Sequence, residues 1–165
     1  MNDPRAFAPA IRVAVVMDRE RAPNRWEDWR FSIAEVVADE DAFGTTSRVL
    51  RDDGKVRRTL HPGFTLELHA DQADGYYLNL SSGAPVWFVV WRIDDADPSL
   101  AWPETVSLSY TEAGRWLDAQ ERVDNVPLQA DLVPWLQAYT DEHYRPEEKK
   151  ARRRPQSFIA PAERK

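Results

Sequence analysis

Glu67 and His69 are the two residues whose types and spacing come closest to a metal site. They lie two positions apart in a predicted strand, so both side chains point to the same face. Carboxylate and imidazole groups both bind metal ions, but a metal site needs at least one more ligand from elsewhere in the fold. His61 lies in a His-Pro-Gly turn and His143 near the end of a predicted helix. Such a pair is more typical of an exposed polar face. The alternative is an enzyme-like domain that binds a metal ion or a small molecule at this pair.

The residues able to act as nucleophiles or to bind phosphate form no recognisable catalytic motif. The chain has no cysteine, which excludes thiolate zinc sites, iron–sulfur clusters and cysteine nucleophiles. Ser81 and Ser82 precede Gly83, but no Gly-x-Ser-x-Gly elbow surrounds them, so a turn is favoured. The six glycines form no phosphate-binding loop, and Asp52-Asp53 lies in a predicted turn. We predict no catalytic residue, no metal ligand and no cofactor, and an enzyme is the less favoured class.

Tryptophan is abundant, with seven residues in a chain of 165. These residues are spread over several predicted elements and are not stacked on one strand as on a nucleic-acid-binding platform. Packing in the core explains most of them. Trp26, which lies beside charged residues, and Trp102, which lies between two prolines, are the two that we expect to be exposed. Because exposed tryptophan often forms the centre of a protein interface, we predict that both contact a protein partner.

The charge of the chain is divided unequally along its length. Residues 145–165 carry eight Lys or Arg and three Glu, a balance of +5, whereas the remaining 144 residues carry 14 basic and 25 acidic side chains, a balance of −11. Nucleic-acid binding requires positive charge spread over one face of a domain. The acidic body therefore excludes nucleic acid as the main partner.

The basic carboxy-terminal segment is predicted to be a flexible tail, because blocks of like charge are usually solvated. A solvating tail has no need of the apolar residues that follow its basic run. Such a segment can dock onto an acidic groove, so we expect the residues after Pro146 to be mobile in the isolated protein and to become ordered on a partner or on a neighbouring copy of the chain. The predicted contact residues of the tail are Lys149, Lys150, Arg152, Arg153, Arg154 and Phe158.

The composition is that of a globular domain that can bury a sizeable core. Apolar residues make up 42% of the chain and charged residues 30%, and the eighteen aromatic side chains add much apolar surface to bury. No apolar run approaches the length of about 18 residues that a membrane span needs, and the first residues lack the apolar region of a signal peptide. We expect a cytoplasmic protein.

The pattern of apolar residues predicts a chain made mainly of short strands. Residues 11–17 are uniformly apolar and β-branched, which indicates a buried strand, and residues 86–93 are apolar on both faces, which indicates the central strand of the structure. Asp-Gly at positions 53–54 predicts a hairpin with a type I′ turn. Residues 18–24, 61–63 and 71–75 are predicted loops or turns. The other extended runs are residues 29–34, 48–51, 56–60, 64–70, 76–80 and 105–110.

Two helices are predicted after the last of these strands. Thr111 is the predicted N-cap of a helix over residues 112–120, and residues 123–127 end it. Asp131 is the predicted N-cap of a second helix, which Pro146 ends. About seven strands followed by two C-terminal helices predict an α+β fold with a mainly antiparallel sheet, as a meander or a sandwich or barrel-like arrangement. We expect a flexible N-terminus at 1–10, a single globular domain at 11–145 and the basic tail at 146–165.

Three separated segments resemble one family of proteins. They read VAVVMDRERAPNRWEDWRF, YYLNLSSGAPVWFVVWR and SLSYTEAGRWLDAQERVDNVPLQADLVPWLQAYTDEHYRPEEKKARRRPQSF, in that order. With these segments the chain resembles the small proteobacterial family of domain of unknown function 3305 over about residues 11–158. The resemblance implies that the gene for this protein lies beside the genes for molybdenum-dependent formate dehydrogenase and its maturation factors. It implies no catalytic residues.

The resemblance and the lack of a catalytic motif together favour a non-enzymatic protein. The expected function is that of a cytoplasmic accessory or assembly protein that binds a protein partner. The resemblance implies that this partner is a formate dehydrogenase component or a maturation factor.

Overall fold

The computed structural model describes residues 9–22 and 28–146. Trp26 lies outside these ranges, and so do the tail residues Lys149, Lys150, Arg152, Arg153, Arg154 and Phe158. The roles predicted for these seven residues therefore stay predictions, as do the boundaries of the domain and its tail.

The described residues form seven β-strands and three α-helices in an α+β fold. All strand pairs are antiparallel, which confirms the predicted fold class. The elements are β1 (Ala10–Arg21), β2 (Trp29–Ala38), β3 (Arg48–Asp52), β4 (Val56–Glu67), α1 (Ala73–Ser81), β5 (Val86–Ile93), β6 (Ala101–Ser107), α2 (Tyr110–Asp118), β7 (Arg122–Pro127) and α3 (Val133–His143).

The first sheet has four strands in the order β2-β1-β4-β3. Its strand β1 is buried from Val13 to Met17, as its uniformly apolar sequence predicts, because it lies between two neighbours and is covered on both faces. The strand also continues to Arg21, so the loop predicted from position 18 onward was wrong for its first four residues. The ladder to β2 extends the strand, since Arg21 pairs with Trp29.

The hairpin between β3 and β4 is confirmed, but its turn is not of type I′. That turn needs a positive φ at both central residues, and of the two only Gly54 has one, at 88°. The Asp53 carboxylate instead accepts hydrogen bonds from the N–H groups of Lys55 and Val56, both at 3.0 Å. A short acidic side chain therefore fixes this turn by bonding to its own backbone.

The turn predicted at residues 61–63 was also wrong, because β4 runs through it without reversing. The register against β1 shifts between Val13 and Val15, opposite this part of β4, and Gly63 has a φ of 96°. Gly63 thus lets the long strand bend at an irregularity of the ladder. The strand predicted at residues 56–60 and the first four residues of the strand predicted at 64–70 therefore belong to the single strand β4.

The second sheet has three strands in the order β6-β5-β7. Its middle strand β5 is buried at every position from Trp87 to Trp91, which confirms the prediction of a central strand covered on both sides. β6 begins four residues before the predicted strand at 105–110 and ends three residues before its predicted end, because Ser109 caps α2 and Tyr110 begins it. β7 was missed, since residues 123–127 were expected only to end a helix. β7 is short and ends at Pro127, so its sequence carries little alternation to reveal it.

Helix α1 replaces a strand predicted over residues 76–80. Its residue Tyr76 is buried and lies three positions before the buried Asn79, a spacing that places both on one face of a helix. The helix approaches the start of α2 so closely that a Cβ atom at Gly75 would overlap the Ser109 hydroxyl and lie 2.6 Å from Oγ1 of Thr111. Glycine at this position therefore permits the packing of the two helices.

The starts of α2 and α3 differ from the predicted caps. Ser109, not Thr111, is the N-cap of α2, and its hydroxyl accepts a hydrogen bond from the N–H of Glu112 at 3.1 Å. Asp131 lies within a turn of 3-10 helix that precedes α3, and Leu132 occupies the N-cap position. α3 ends at His143, three residues before Pro146.

The two sheets enclose one main core between them, to which α1 and α3 add side chains. Tryptophans of β5 occupy its centre, where the indole N–H of Trp87 donates to Oε1 of Gln129 at 3.0 Å. Within the described ranges no helix is both long enough and apolar enough to cross a membrane. The largest fully buried apolar residues are Trp87, Leu108, Leu136, Val13, Val15, Val36, Val89 and Val90.

Candidate functional site

A cleft of about 400 Å³ lies on the first sheet, where β6 and the residues before it cross the face of β1 and β4. We call it the arginine cleft. The residues of its wall include Arg19, Val49, Arg57, Leu100 and Trp102. They come from four strands and from the loop before β6, so only the folded protein brings them together.

The cleft gathers apolar side chains that water still reaches. Val49 is 51% exposed, Leu100 46% and Trp102 37%, and the three line the same depression. Exposed apolar residues are normal when scattered singly, whereas a cluster of them marks an interaction site. The apolar lining therefore suits a ligand with apolar groups of its own.

The same cleft is basic. Arg19 on β1 and Arg57 on β4 are direct cross-strand partners, an arrangement that costs stability because like charges face each other. Nε of Arg57 is 3.1 Å from Oδ2 of Asp52, which offsets part of this repulsion. Asp18, the acid in the wall of the cleft, is already bound by Arg58 through two hydrogen bonds of 2.8 Å.

Arg19 is the most constrained cation of the cleft. Its guanidinium carbon lies 4.1 Å from the centre of the Trp29 ring, and its Nη1 donates to the backbone oxygen of Ser99 at 2.8 Å. Its Nε atom is buried and has no hydrogen-bond partner in the described part of the chain. Burial, and then the charge of Arg57, lower the pKa of Arg19, while the carboxylates of Asp52 and Asp97 offset part of this effect. An anion in the cleft would add to this partial compensation of the Arg19 charge.

His61 also borders the cleft but contributes no charge at neutral pH. Burial lowers the pKa of this imidazole below its usual value, so the ring is neutral at pH 7 and above. The positive charge of the cleft therefore comes from guanidinium groups, which do not titrate in the physiological range.

Trp102 is the predicted site residue that the structure brings into this cleft. Its indole N–H donates to Oε1 of Glu104 at 3.3 Å, and the rest of the ring is available at the rim. The predicted Ser/Gly turn is present, and there the Ser82 hydroxyl donates to the backbone oxygen of Asn79 at 2.7 Å. Ser82 thus has a structural role at the end of α1.

Glu67 and His69 are both exposed and lie at and just beyond the end of β4. In the described ranges, no group of three or more His, Asp or Glu residues is arranged to hold a metal ion. Glu67 and His69 therefore gain no third ligand from the described part of the chain, and two ligands do not make a metal site.

Sequence reasoning missed the arginines. Arg19 and Arg57 are separated by 38 positions and lie in segments that read as a polar loop and as one side of a hairpin. Only the register of β1 against β4 places them opposite each other. The sequence signal that was present is the basic composition of the β3–β4 hairpin, which carries five Lys or Arg and two Asp between positions 48 and 58.

Comparison with known proteins gives a family but no described function. Neither the curated proteins nor the solved structures contain a match to this chain. One family model, described as protein of unknown function (DUF3305), matches residues 12–154, a span that includes every residue named above for the arginine cleft. The chain therefore belongs to the DUF3305 family.

Proposed function

We propose that this protein binds an acidic segment of a protein partner in the arginine cleft. The observation that carries the proposal is the direct cross-strand pairing of Arg19 and Arg57 beside three exposed apolar side chains. A fold gains no stability from opposing two like charges, so such a pair is better explained by a ligand than by packing. Trp102 at the rim supplies the aromatic contact that protein interfaces favour.

The proposed role is that of a cytoplasmic bacterial accessory protein in the assembly of another protein. Genes for formate dehydrogenase, implied as neighbours by the family resemblance, support a component of that molybdenum enzyme or one of its maturation factors as the partner. A protein that escorts a partner needs a surface that releases it again. The partly exposed Arg57 suits that requirement, because attraction by a charge that solvent reaches is weakened by salt and adds more to the rate of association than to the final affinity.

Affinity capture from an extract of the native host tests this proposal. The full chain, Arg57→Gln and Arg115→Gln are immobilised in equal amounts, and the retained proteins are identified by mass spectrometry. Arg115 is an exposed residue of α2 outside the cleft, so it is the matched control for the loss of one positive charge. We expect the wild type and Arg115→Gln to retain the same partner, and Arg57→Gln to retain about tenfold less, which corresponds to about 1.4 kcal/mol.

Two results would contradict the proposal. One is retention of the same partner in equal amounts by Arg57→Gln and the wild type. The other is capture of no protein at all at low salt, where attraction between exposed charges is strongest. Capture of an unrelated enzyme in an arginine-dependent manner would keep the cleft as the binding site and reject the formate dehydrogenase partner.

A further inference from the structure

The outer edge of β3 differs from the other three sheet edges of this fold. β3 is the last strand of the first sheet and hydrogen-bonds only to β4. All five of its residues are exposed, whereas each of the other six described strands buries at least one residue. A strand that buries nothing contributes little to the core, so burial does not explain why these residues form a strand.

The other edges are closed by side chains or by packing. At the outer edge of β2, the N–H of Ile33 donates to Oδ2 of Asp124 at 2.9 Å, and the backbone oxygen of Val36 accepts from the side-chain amide of Gln129. The outer edge of β2 therefore lies against β7. The two strands cover each other's outer edges. β6 contains Pro103, which lacks the N–H group that a further strand would need. No comparable closure covers β3 in the described part of the chain.

The β3 edge continues the wall of the arginine cleft, since Val49 belongs to both. Its neighbour Leu50 is 47% exposed, so an added strand would find apolar contacts on β3 as well as backbone groups. The register against β4 shifts between Val49 and Arg51, an irregularity of the kind that keeps edges from pairing indiscriminately. Exposed arginines have the same effect, because they repel basic strands and attract acidic ones.

We propose that the partner segment is an extended acidic peptide that adds to the outer edge of β3 as a further strand. This inference rests on the proposed function and names the conformation and chemistry of the partner segment. In strand addition, backbone hydrogen bonds supply affinity and side chains supply specificity. Acidic side chains complement the β3–β4 hairpin, whose net charge is +3 from five basic and two acidic residues. A second copy of the chain would bring two such basic hairpins together, which disfavours it as the occupant.

Backbone N-methylation of a probe peptide tests strand addition without altering the protein. The probe is a fluorescein-labelled peptide of five Glu-Val repeats, measured by fluorescence anisotropy with the full chain. In an extended strand, the N–H groups of successive residues point to opposite sides. Two further peptides are methylated at the backbone nitrogen of every Glu or of every Val, so that each blocks one side only. We expect one of them to bind like the parent peptide and the other to lose at least tenfold in affinity.

Equal affinity of the two methylated peptides, whether both are tolerated or both are weakened, would overturn strand addition. Equal binding of a Lys-Val peptide would also overturn the proposal, because it would show that charge does not select the added strand. A concentration-dependent dimer that excludes the probe would overturn it as well. If the probe fails to bind while the chain still captures its partner in an Arg57-dependent manner, strand addition is wrong and the proposed function stands. Loss of that capture is the separate result that removes the proposed function.

Discussion

Replacing Val89 with Asp is expected to abolish folding of the domain. Val89 is fully buried in the middle of β5, between β6 and β7. Its partner across the β5–β7 ladder is Asp124, whose carboxylate already accepts hydrogen bonds from the N–H of Ile33 and from the indole of Trp91. A new carboxylate would thus be both buried and close to an existing one. The cost of several kcal/mol is comparable with the total stability of a domain, about 5–15 kcal/mol.

Circular dichroism during urea and thermal unfolding measures this effect. Val89→Ala separates lost packing from buried charge, and should cost about 2–3 kcal/mol while leaving a cooperative transition. Val49→Asp makes the same change at an exposed strand position and should alter stability by less than about 0.5 kcal/mol. A soluble Val89→Asp protein that melts cooperatively at the wild-type midpoint would mean that β5 is not the centre of the structure.

Asn79→Leu is expected to have the second-largest effect, for a different reason. The Asn79 side chain is buried and makes three hydrogen bonds to backbone groups outside its own helix. Its Nδ2 donates to the oxygens of Val86 at 2.9 Å and Leu108 at 3.0 Å, and its Oδ1 accepts from the N–H of Val86 at 3.0 Å. Leucine has a similar size, so the substitution leaves three backbone groups without partners and creates little empty space. Each such group costs about 1–3 kcal/mol, so we expect a loss of at least about 3 kcal/mol in total.

Equilibrium unfolding in urea compares Asn79→Leu with Asn125→Leu, the same substitution at an exposed residue of β7. The control should be close to neutral, within about 0.5 kcal/mol. Asn79→Asp keeps the acceptor for the Val86 N–H but turns an oxygen toward two carbonyl oxygens, and it should not restore stability. If Asn79→Leu and Asn125→Leu proved equally stable, α1 would not be anchored through this amide.

Asn79 also shows why α1 could not be predicted from the sequence. The run Tyr76-Tyr77 followed by leucines is rich in residues that favour strands, and the Gly75 before it is typical of a turn. What selects the helix is tertiary: the amide of Asn79 pairs with the ends of β5 and β6, and Gly75 admits the hydroxyls of α2. β1 and β5 were predictable because their burial on both faces follows from composition alone.

The arginine cleft was partly predictable for a similar reason. Trp102 stood out by its neighbouring prolines, and the structure does place it at the cleft. The pairing of Arg19 with Arg57 depends on a register between strands far apart in the chain, and register is set by the packing of a whole face. The sequence around a residue can predict that this residue is exposed. A binding surface formed by several strands can be predicted only when the order of the strands in the sheet is known.

Site-specific photo-crosslinking tests the central claim, that a partner binds at the arginine cleft, most directly. A photo-reactive phenylalanine analogue is placed at Val49 in the cleft or at Leu117 on α2, two positions of similar exposure at 51% and 57%. Each protein is irradiated in an extract of the native host. We predict one discrete adduct from position 49, reduced when Arg57→Gln is added, and none from position 117. An adduct of equal yield from position 117, or one from position 49 that Arg57→Gln leaves unchanged, would contradict the assignment of the cleft as the binding site.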